Sequence, residues 1–397
     1  MRKVLVYSLL LVAGLALSQV APVVAGSDYK LAAPFIKFST VAALAFIMMR
    51  VGMEFELDKS RWRSYGFDYA IAATAAAFPW ILCAMYFVGV ISPPGSWSSW
   101  DAWRESLLGA RFAAPTSAGV LFSMLAAAGL GATWVFRKAR ILAIFDDLDT
   151  VLLMIPLKMM IVGLRWELGL VVAGMVVQLW MAWRYLRKLP LPSGWGWIAF
   201  YALVITALCE GLYHVTSGIE DMLPIHIEVL LPAFVLGCMI KRGHHQETPG
   251  EERAATMISG AFMLLVGLSM PTLTQQNTSI SDALASLRSE LDWGAVAIHV
   301  MFITVLANLG KMFPLFVYRR EATFRERLAL CIGMWPRGEV GAGVLIVSLG
   351  YGLDRMPFTV AMLSLALNLL LTGVFVMIVA RLLKNTETAG SVVNAQS

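Results

Sequence analysis

The stretch AIFDDLDTVLL, residues 143–153, decides how this chain folds, because it places Asp146, Asp147 and Asp149 inside an apolar run of about 139–163. A run of that length is typical of a helix that spans a bilayer. A charged side chain at the centre of a bilayer costs about 2.5 to 3.5 kcal/mol on insertion scales, so it needs a partner or a water-filled cavity. The three carboxylates therefore predict polar groups on neighbouring helices.

The composition of the chain indicates a membrane location. Of its 397 residues, 59% are hydrophobic and 14% are charged, and the mean hydropathy is +0.73. So little polar surface cannot cover a water-soluble globule of this size. The basic residues behind the net charge of +5 are dispersed between apolar runs, without the interleaved aromatic residues of a nucleic-acid surface.

Several common partners and cofactors are not expected. The sequence contains no GxxxxGK(S/T) phosphate loop and no Rossmann fingerprint, so we expect no nucleotide, and the dispersed charge argues against nucleic acid. The four cysteines lie in apolar segments without the spacing of a zinc site or a disulfide framework. We therefore predict neither a cofactor nor a transition-metal site.

Twelve apolar stretches of spanning length are separated by charged or Pro/Gly/Ser-rich breaks. They lie at about 4–24, 34–53, 68–91, 106–129, 139–163, 166–188, 195–213, 225–240, 254–274, 293–317, 328–351 and 358–383. We predict an all-α polytopic membrane protein with one transmembrane domain over 1–397 and a short cytoplasmic tail at 384–397. The first stretch follows Arg2 and Lys3 as in a secretory signal, but its length favours a retained helix over a cleaved one.

Lysine and arginine cluster on every second connection, and this pattern predicts the orientation. The clusters are Arg2/Lys3, Arg50 to Arg63, Arg137 to Arg140, Arg184 to Lys188, Lys241 to Arg253, Arg319 to Arg327, and Arg381/Lys384. Cytoplasmic loops retain Lys and Arg during insertion. Both chain ends are therefore predicted inside, in a bacterial inner membrane whose lipid surrounds the helices.

The predicted topology relates two triplets of stretches by inversion, because the third to fifth run in the opposite directions to the last three. Inverted repeats that each contain an interrupted helix place the substrate near the bilayer midplane. Pro115 and Gly119 in one triplet and Pro336 and Gly338 in the other predict such interruptions in 106–129 and 328–351. The simpler explanation is that Gly and Pro are common in all membrane helices.

Lys311, in ANLGKMFP, is predicted to lie at the depth of the aspartates. At about 1.5 Å per residue, Asp146 lies roughly 10 Å and Lys311 roughly 9 Å from the cytoplasmic ends of their helices. Burial favours the neutral form of a lysine, whereas a neighbouring carboxylate favours the charged form, so such a pair can exchange protons. Asp146 and Asp147 project about 100° apart, so that one can face Lys311 and the other a cavity.

Two neighbouring carboxylates predict exchange of a cation for protons. Their repulsion favours a proton on one of them, and a hard cation such as sodium competes for the same oxygens. Asp149 lies one turn beyond Asp146 and is either an extra ligand or part of a water-exposed funnel. The simpler interpretation of Asp146 and Asp147 is an ion pair that holds helices together without moving ions.

Arg337 and Glu339, in MWPRGEVGAG, are two further charges inside an apolar stretch. Residues two apart do not face each other on a regular helix. We therefore expect this pair to stabilise an unwound segment or the ends of its helix dipoles, and not to bind the transported ion.

Four patches resemble the bacterial monovalent cation/proton antiporter superfamily, nearest to its electrogenic two-aspartate branch. They are VGMEFELDKSRW (51–62), PTSAGVLFSML (115–125), AIFDDLDTVL (143–152), and ANLGKMFP (307–314) followed by GMWPRGEVGAGVLI (333–346). A lone Asp-Asp pair is a weak signal, but its combination with a later lysine and PRGE is specific. In order and spacing the patches cover about 43–351, although Asp149 and Lys158 stand where that family is usually apolar.

The resemblance implies a sodium/proton antiporter fold with assigned roles. Asp147 binds the cation and protons, and Asp146 alternates between binding and a salt bridge with Lys311. The residues that line the two crossing helices are Thr116, Ser117, Pro336, Arg337, Gly338 and Glu339. The combination of Asp-Asp with Lys points to exchange of two protons per sodium ion.

The resemblance also implies a division of the chain and an oligomeric state. An elevator-like core of 68–163 and 293–383 moves against panel and linker helices from 1–67 and 164–292. The panel forms a homodimer.

The predicted function is therefore exchange of Na+, Li+ or K+ for protons, and not an enzymatic reaction. The alternative is sodium-coupled uptake of an organic anion, which the same fold hosts and which needs a second polar cavity at the N-termini of the broken helices. A membrane enzyme or sensor is a third interpretation. The sequence shows no metal triad, nucleophile–base spacing or soluble output domain that would support this interpretation.

Overall fold

The computed structural model is helical almost throughout. It describes residues 2–25, 27–54, 62–162, 166–218, 227, 229–241, 249–270, 293–338, 341, 345 and 355–394. The helices of ten residues or more in this part of the chain are α1 (Arg2–Ala25), α2 (Ser27–Glu54), α3 (Trp62–Tyr86), α4 (Trp100–Ala110), α5 (Ala118–Ala127), α6 (Trp134–Val162), α7 (Trp166–Arg184), α8 (Trp195–Ser217), α9 (Leu230–Met239), α10 (Pro249–Leu268), α11 (Trp293–Gly310), α12 (Phe324–Gly333) and α13 (Arg355–Asn394).

Seven spans among the described residues are long and apolar enough to cross a membrane. They are Arg2–Ala21, Leu31–Met53, Ser64–Ile91, Trp166–Arg184, Trp195–Ser217, Trp293–Arg320 and Met356–Lys384. These spans confirm an all-helical, multi-pass membrane protein. The count of twelve, the position of both ends inside and the inverted repeats stay predictions.

The chain divides into two compact units. Unit 1 comprises Met1–Ala32, Arg63–Thr150 and Val266–Ser397, and unit 2 comprises Ala33–Trp62 and Val151–Leu265. Helix α1 thus belongs to unit 1. The predicted split into a moving core and a panel is a statement about motion and stays a prediction.

Unit 1 is built around α13, against which α1, α4, α5, α11 and α12 pack. Besides its apolar residues, α13 buries Ser364, Asn368 and Thr372, which recur every fourth residue and so lie on one face. The Ser364 hydroxyl lies 2.8 Å from that of Thr304 on α11. Short side chains also allow close approach, since a Cβ at Gly373 would lie 2.2 Å from Ser8 Oγ on α1.

Unit 2 packs α7 and α8 against α9. Helix α2 crosses α9 at a glycine, because a Cβ at Gly237 would lie 2.2 Å from the Met49 carbonyl oxygen. Sequence predicted a helix over 225–240, but α9 spans only Leu230–Met239. Its last turn gives way to extended backbone at Ile240, which forms a parallel bridge with Leu189.

Candidate functional site

Two stretches in unit 1 interrupt α-helical structure, and they lie where proline and glycine predicted interruptions. The first break, residues 111–117, separates α4 from α5 and begins with the 3-10 turn Arg111–Ala113, and the second break, residues 334–338, follows α12. Pro115 lacks the backbone N–H that a continuing helix would need. Helix α5 restarts with Ser117 as its N-cap, whose Oγ accepts from the Val120 N–H at 3.4 Å.

The two breaks are hydrogen-bonded to each other. The Ser117 N–H donates to the Pro336 carbonyl oxygen at 2.9 Å. The Thr116 hydroxyl donates to the Met334 carbonyl oxygen at 3.1 Å. Gly338 lies at the same junction, because a Cβ there would be 3.1 Å from Ser117 Oγ. Hydrogen bonds therefore join the backbone of the two breaks, and this junction places polar groups in the buried interior of unit 1.

Asp146 and Lys311 form an ion pair at this junction, and both are fully buried. Lys311 Nζ lies 2.7 Å from Asp146 Oδ1 and 2.8 Å from Oδ2. The first break supplies two further bonds: the Thr116 N–H donates to Asp146 Oδ2 at 2.8 Å, and the Ala114 carbonyl accepts from Lys311 Nζ at 2.6 Å. The unwound backbone thus supports both charges of the pair.

The end of α11 positions Lys311. The helix ends at Gly310, and Lys311 begins a turn in which its N–H donates to the Asn308 carbonyl at 3.1 Å. Gly310 packs directly on α3, because a Cβ at this position would lie 2.5 Å from Pro79 Cα. Any larger residue here would push α3 and α11 apart and move the root of the lysine.

Arg337 crosslinks the same elements. It is fully buried and donates to Asn308 Oδ1 and the Ala307 carbonyl, each at 2.7 Å, on α11. It also donates to the Ala113 carbonyl at 3.2 Å in the first break and to the Trp335 carbonyl at 3.1 Å in the second. These four acceptors are neutral, so the bonds support the expectation that Arg337 stabilises unwound backbone.

Asp149 is buried beside the pair, with 3% of its surface exposed. Its Oδ2 has no hydrogen-bond partner among the described residues. The Tyr69 hydroxyl on α3 interacts with its carboxylate, and the charges of Asp146 and Lys311 act on it. The side chains of Asp147 and Lys158, and Glu339 as a whole, lie outside what the structure describes.

A second buried charge cluster in unit 1 was missed from the sequence. Lys138 Nζ lies 2.9 Å from Asp68 Oδ1 and 2.9 Å from Glu321 Oε2. The Tyr318 hydroxyl donates to Asp68 Oδ1 at 2.7 Å, and the lysine ammonium lies 4.4 Å from the centre of the Tyr318 ring.

The cluster corrects the placement of Lys138. The charge pattern places Lys138 in a cytoplasmic connection before a helix at 139, but α6 begins at Trp134 and buries this lysine in its second turn. The available signal was Asp68, the lone carboxylate at the start of the apolar stretch 68–91.

Comparison with known proteins identifies the fold. No model of a known protein family matches the sequence, and no curated protein matches it. The structure is similar to that of the sodium proton antiporter MjNhaP1 from Methanocaldococcus jannaschii at pH 8, with a TM-score of 0.56 and 14% sequence identity over 95% of this chain and 92% of that one. This chain has the fold of a sodium/proton antiporter.

Within this antiporter fold, unit 1 brings together most of the residues that sequence singled out. They are Thr116, Ser117, Asp146, Asp149, Lys311, Pro336, Arg337 and Gly338. The arrangement offers buried carboxylate oxygens, a lysine paired with them, and unwound backbone whose polar groups lie at the same place. Such groups suit a hard monovalent cation and protons, both of which bind to oxygen.

Proposed function

We propose that this chain is a secondary active transporter, and not an enzyme, that exchanges Na+, Li+ or K+ for protons across a bacterial inner membrane. The observation that carries the proposal is the buried Asp146–Lys311 pair at the junction of two helix breaks. The antiporter fold supports it. Sodium-coupled uptake of an organic anion is not favoured, because the similar solved structure is an antiporter.

The hydrogen bonds around Asp146 and Lys311 favour an ion pair that can separate over an ion pair that permanently links helices. Moving two charges out of water costs several kcal/mol per ion, and the pair regains this energy only with good geometry and additional hydrogen bonds. Here the additional bonds come from Thr116 and Ala114 in the first break. Backbone outside a helix can withdraw such bonds without breaking a helical ladder, so a small rearrangement can free the carboxylate.

Exchange follows from competition at the carboxylates. In the form described, Lys311 occupies both oxygens of Asp146. A cation that reaches this carboxylate displaces the ammonium, and the lysine returns when the cation leaves. A proton on the carboxylate likewise removes the charge that attracts the cation. Cation and protons therefore occupy the site in alternation.

The family resemblance supports a finer version of the proposal. Asp147 carries the cation and protons, while Asp146 alternates between the cation and Lys311. Two protons exchange for one sodium ion, which makes transport electrogenic. The core of 68–163 and 293–383 moves as an elevator against helices of 1–67 and 164–292, through which two copies of the chain associate.

Proteoliposomes with an imposed pH gradient test the proposal. Addition of Na+, Li+ or K+ is expected to dissipate the gradient, followed with a pH-sensitive dye, whereas choline leaves it intact. Asp147→Asn should lower the rate by at least about a hundredfold. Asp101→Asn is the control, because this carboxylate lies on α4 with 80% of its side chain exposed. Failure of all three cations to dissipate the gradient would overturn the proposal.

A further inference from the structure

Asp149 differs from Asp146 in how its oxygens are satisfied. Asp146 accepts hydrogen bonds on both oxygens, from Lys311 and from the Thr116 N–H. Asp149 is equally removed from water, yet its Oδ2 has no hydrogen-bond partner among the described residues. A buried polar atom without a partner costs roughly 1 to 3 kcal/mol, and more when it is charged. This oxygen therefore favours a ligand that supplies positive charge.

Helix geometry places this oxygen beside the ion pair. Asp146 and Asp149 are three residues apart on α6, so their Cβ atoms are roughly 5 to 6 Å apart on one face. Carboxylates at that spacing can share one small cation between them. The Tyr69 hydroxyl on α3 also interacts with the Asp149 carboxylate and so restricts the directions in which this carboxylate can point.

Charges of both signs lie near Asp149. Among the described charged groups, those that act on its carboxylate are Asp146 and Lys311, whose effects oppose each other. Arg337, the other buried cation at the junction, is engaged by neutral acceptors on α11 and in the two breaks.

We propose that Asp149 is a direct ligand of the transported monovalent cation, which enters on the Asp149 side of the Asp146–Lys311 pair. This inference rests on the proposed cation exchange and deepens it. The cation first binds the free Asp149 oxygen while Lys311 still holds Asp146. It then takes an Asp146 oxygen as the ammonium moves away. Tyr69 is a positioning residue in this sequence of steps.

Sodium-dependent thermal stability tests the inference directly. A ligand that binds only the native state raises the midpoint of unfolding, and the stabilisation grows with the logarithm of one plus the ratio of ligand concentration to dissociation constant. The purified full-length protein in detergent is titrated with NaCl, and choline chloride keeps the ionic strength constant. We expect Asp149→Asn to need at least about tenfold more Na+ for the same stabilisation. Asp149→Glu retains a carboxylate and should restore much of the response, and Asp101→Asn should behave as wild type.

The same variants are then assayed for exchange in proteoliposomes. Asp149→Asn should raise the half-saturating Na+ concentration by a similar factor. A purely structural role predicts something else: a lower unfolding midpoint at every NaCl concentration, with the Na+ dependence of wild type. That result would overturn the inference. Should Asp149→Asn fail to fold, Tyr69→Phe decides it: loss of the hydroxyl that positions Asp149 should raise the Na+ concentration needed, and unchanged Na+ dependence would also overturn the inference.

Failure of this inference can be told apart from failure of the proposed function. If wild type is stabilised by Na+ but exchanges no protons, and Asp149→Asn needs more Na+ for that stabilisation, the exchange proposal fails and the Asp149 cation site stands. If wild type exchanges Na+ for protons and Asp149→Asn does so at the same half-saturating concentration, the exchange proposal stands and the Asp149 ligand is refuted. Absence of both stabilisation and exchange in wild type refutes both.

Discussion

Two buried lysine–aspartate pairs lie among the described residues of unit 1, and their surroundings differ. Asp68 accepts from Lys138 and from the Tyr318 hydroxyl, and Lys138 also contacts Glu321, whose side chain is 37% exposed. That cluster joins α3 and the start of α6 to a short turn that begins at Tyr318. Asp146 and Lys311 instead meet where two helices are broken, and Asp149 lies beside them with an oxygen that has no hydrogen-bond partner among the described residues.

The comparison teaches that burial and pairing alone do not mark an ion site. Both lysines lie within hydrogen-bond distance of a buried carboxylate, and by that measure the pairs are equivalent. The unwound backbone around Asp146 and the free oxygen of Asp149 distinguish one from the other. We infer that the Asp68–Lys138 pair holds helices together and that the Asp146–Lys311 pair takes part in transport.

The largest expected difference between the pairs is in activity. Asp146→Asn should lower the rate of cation/proton exchange by at least about a hundredfold, because the amide carries no charge to attract the cation. Asp68→Asn should leave the rate per folded molecule within about twofold of wild type. Proteoliposome flux, normalised to the amount of reconstituted protein, measures both. Equal losses in the two variants would contradict the division into a transport pair and a structural pair.

The next expected difference concerns double variants, in which a lysine and its partner aspartate are both substituted. Lys138→Met and Lys311→Met each leave a buried carboxylate without its lysine, at a cost of about 3 to 5 kcal/mol. Neutralising the partner, as Asp68→Asn or Asp146→Asn, should return part of that stability in either pair. Of the two double variants, only the one at Lys138 and Asp68 should retain cation/proton exchange. Thermal unfolding and flux are measured on the same preparations, and exchange by the Lys311/Asp146 double variant would refute the proposed roles.

The smallest effect is expected for Tyr318, whose hydroxyl donates to Asp68 in the Asp68–Lys138 cluster. Tyr318→Phe removes the hydroxyl that donates to Asp68 but leaves Lys138 in place, so it should cost about 1 to 3 kcal/mol. The half-saturating Na+ concentration should not change. A lower unfolding midpoint with unchanged transport kinetics would sharpen the comparison. A shift in cation dependence would instead connect the two pairs functionally.

Membrane physics explains which parts of the molecule were predictable from sequence. Spanning helices need long apolar runs, so the helical character followed from composition. Charged residues inside such runs are easy to recognise. The equal depth of Asp146 and Lys311 along their two helices predicted that these residues lie close together. Pro115 and Pro336 marked the breaks because proline removes a backbone donor.

Other features depend on packing that no local pattern records. Asp68 stands at the boundary of an apolar run, where a charged residue is ordinary, and its burial depends on Lys138 and Tyr318, which are distant in sequence. The start of α6 was placed too late because its first turns carry Arg137, Lys138 and Arg140, which hydropathy attributes to a loop. The absence of a hydrogen-bond partner for Asp149 Oδ2 among the described residues was likewise not predictable, because it depends on every side chain packed around this carboxylate.

The glycine that precedes Lys311 determines how this lysine can move. Because Gly310 lies against the backbone of Pro79, α3 and α11 are in direct contact one residue before the lysine. A slide of α11 by one residue, about 1.5 Å, would bring a bulkier side chain into that contact. We therefore expect the Cα of Lys311 to keep its place relative to α3. In the proposed exchange, release of Asp146 would then consist of rotation about the four-carbon stem of Lys311, which carries the ammonium away while the backbone stays anchored.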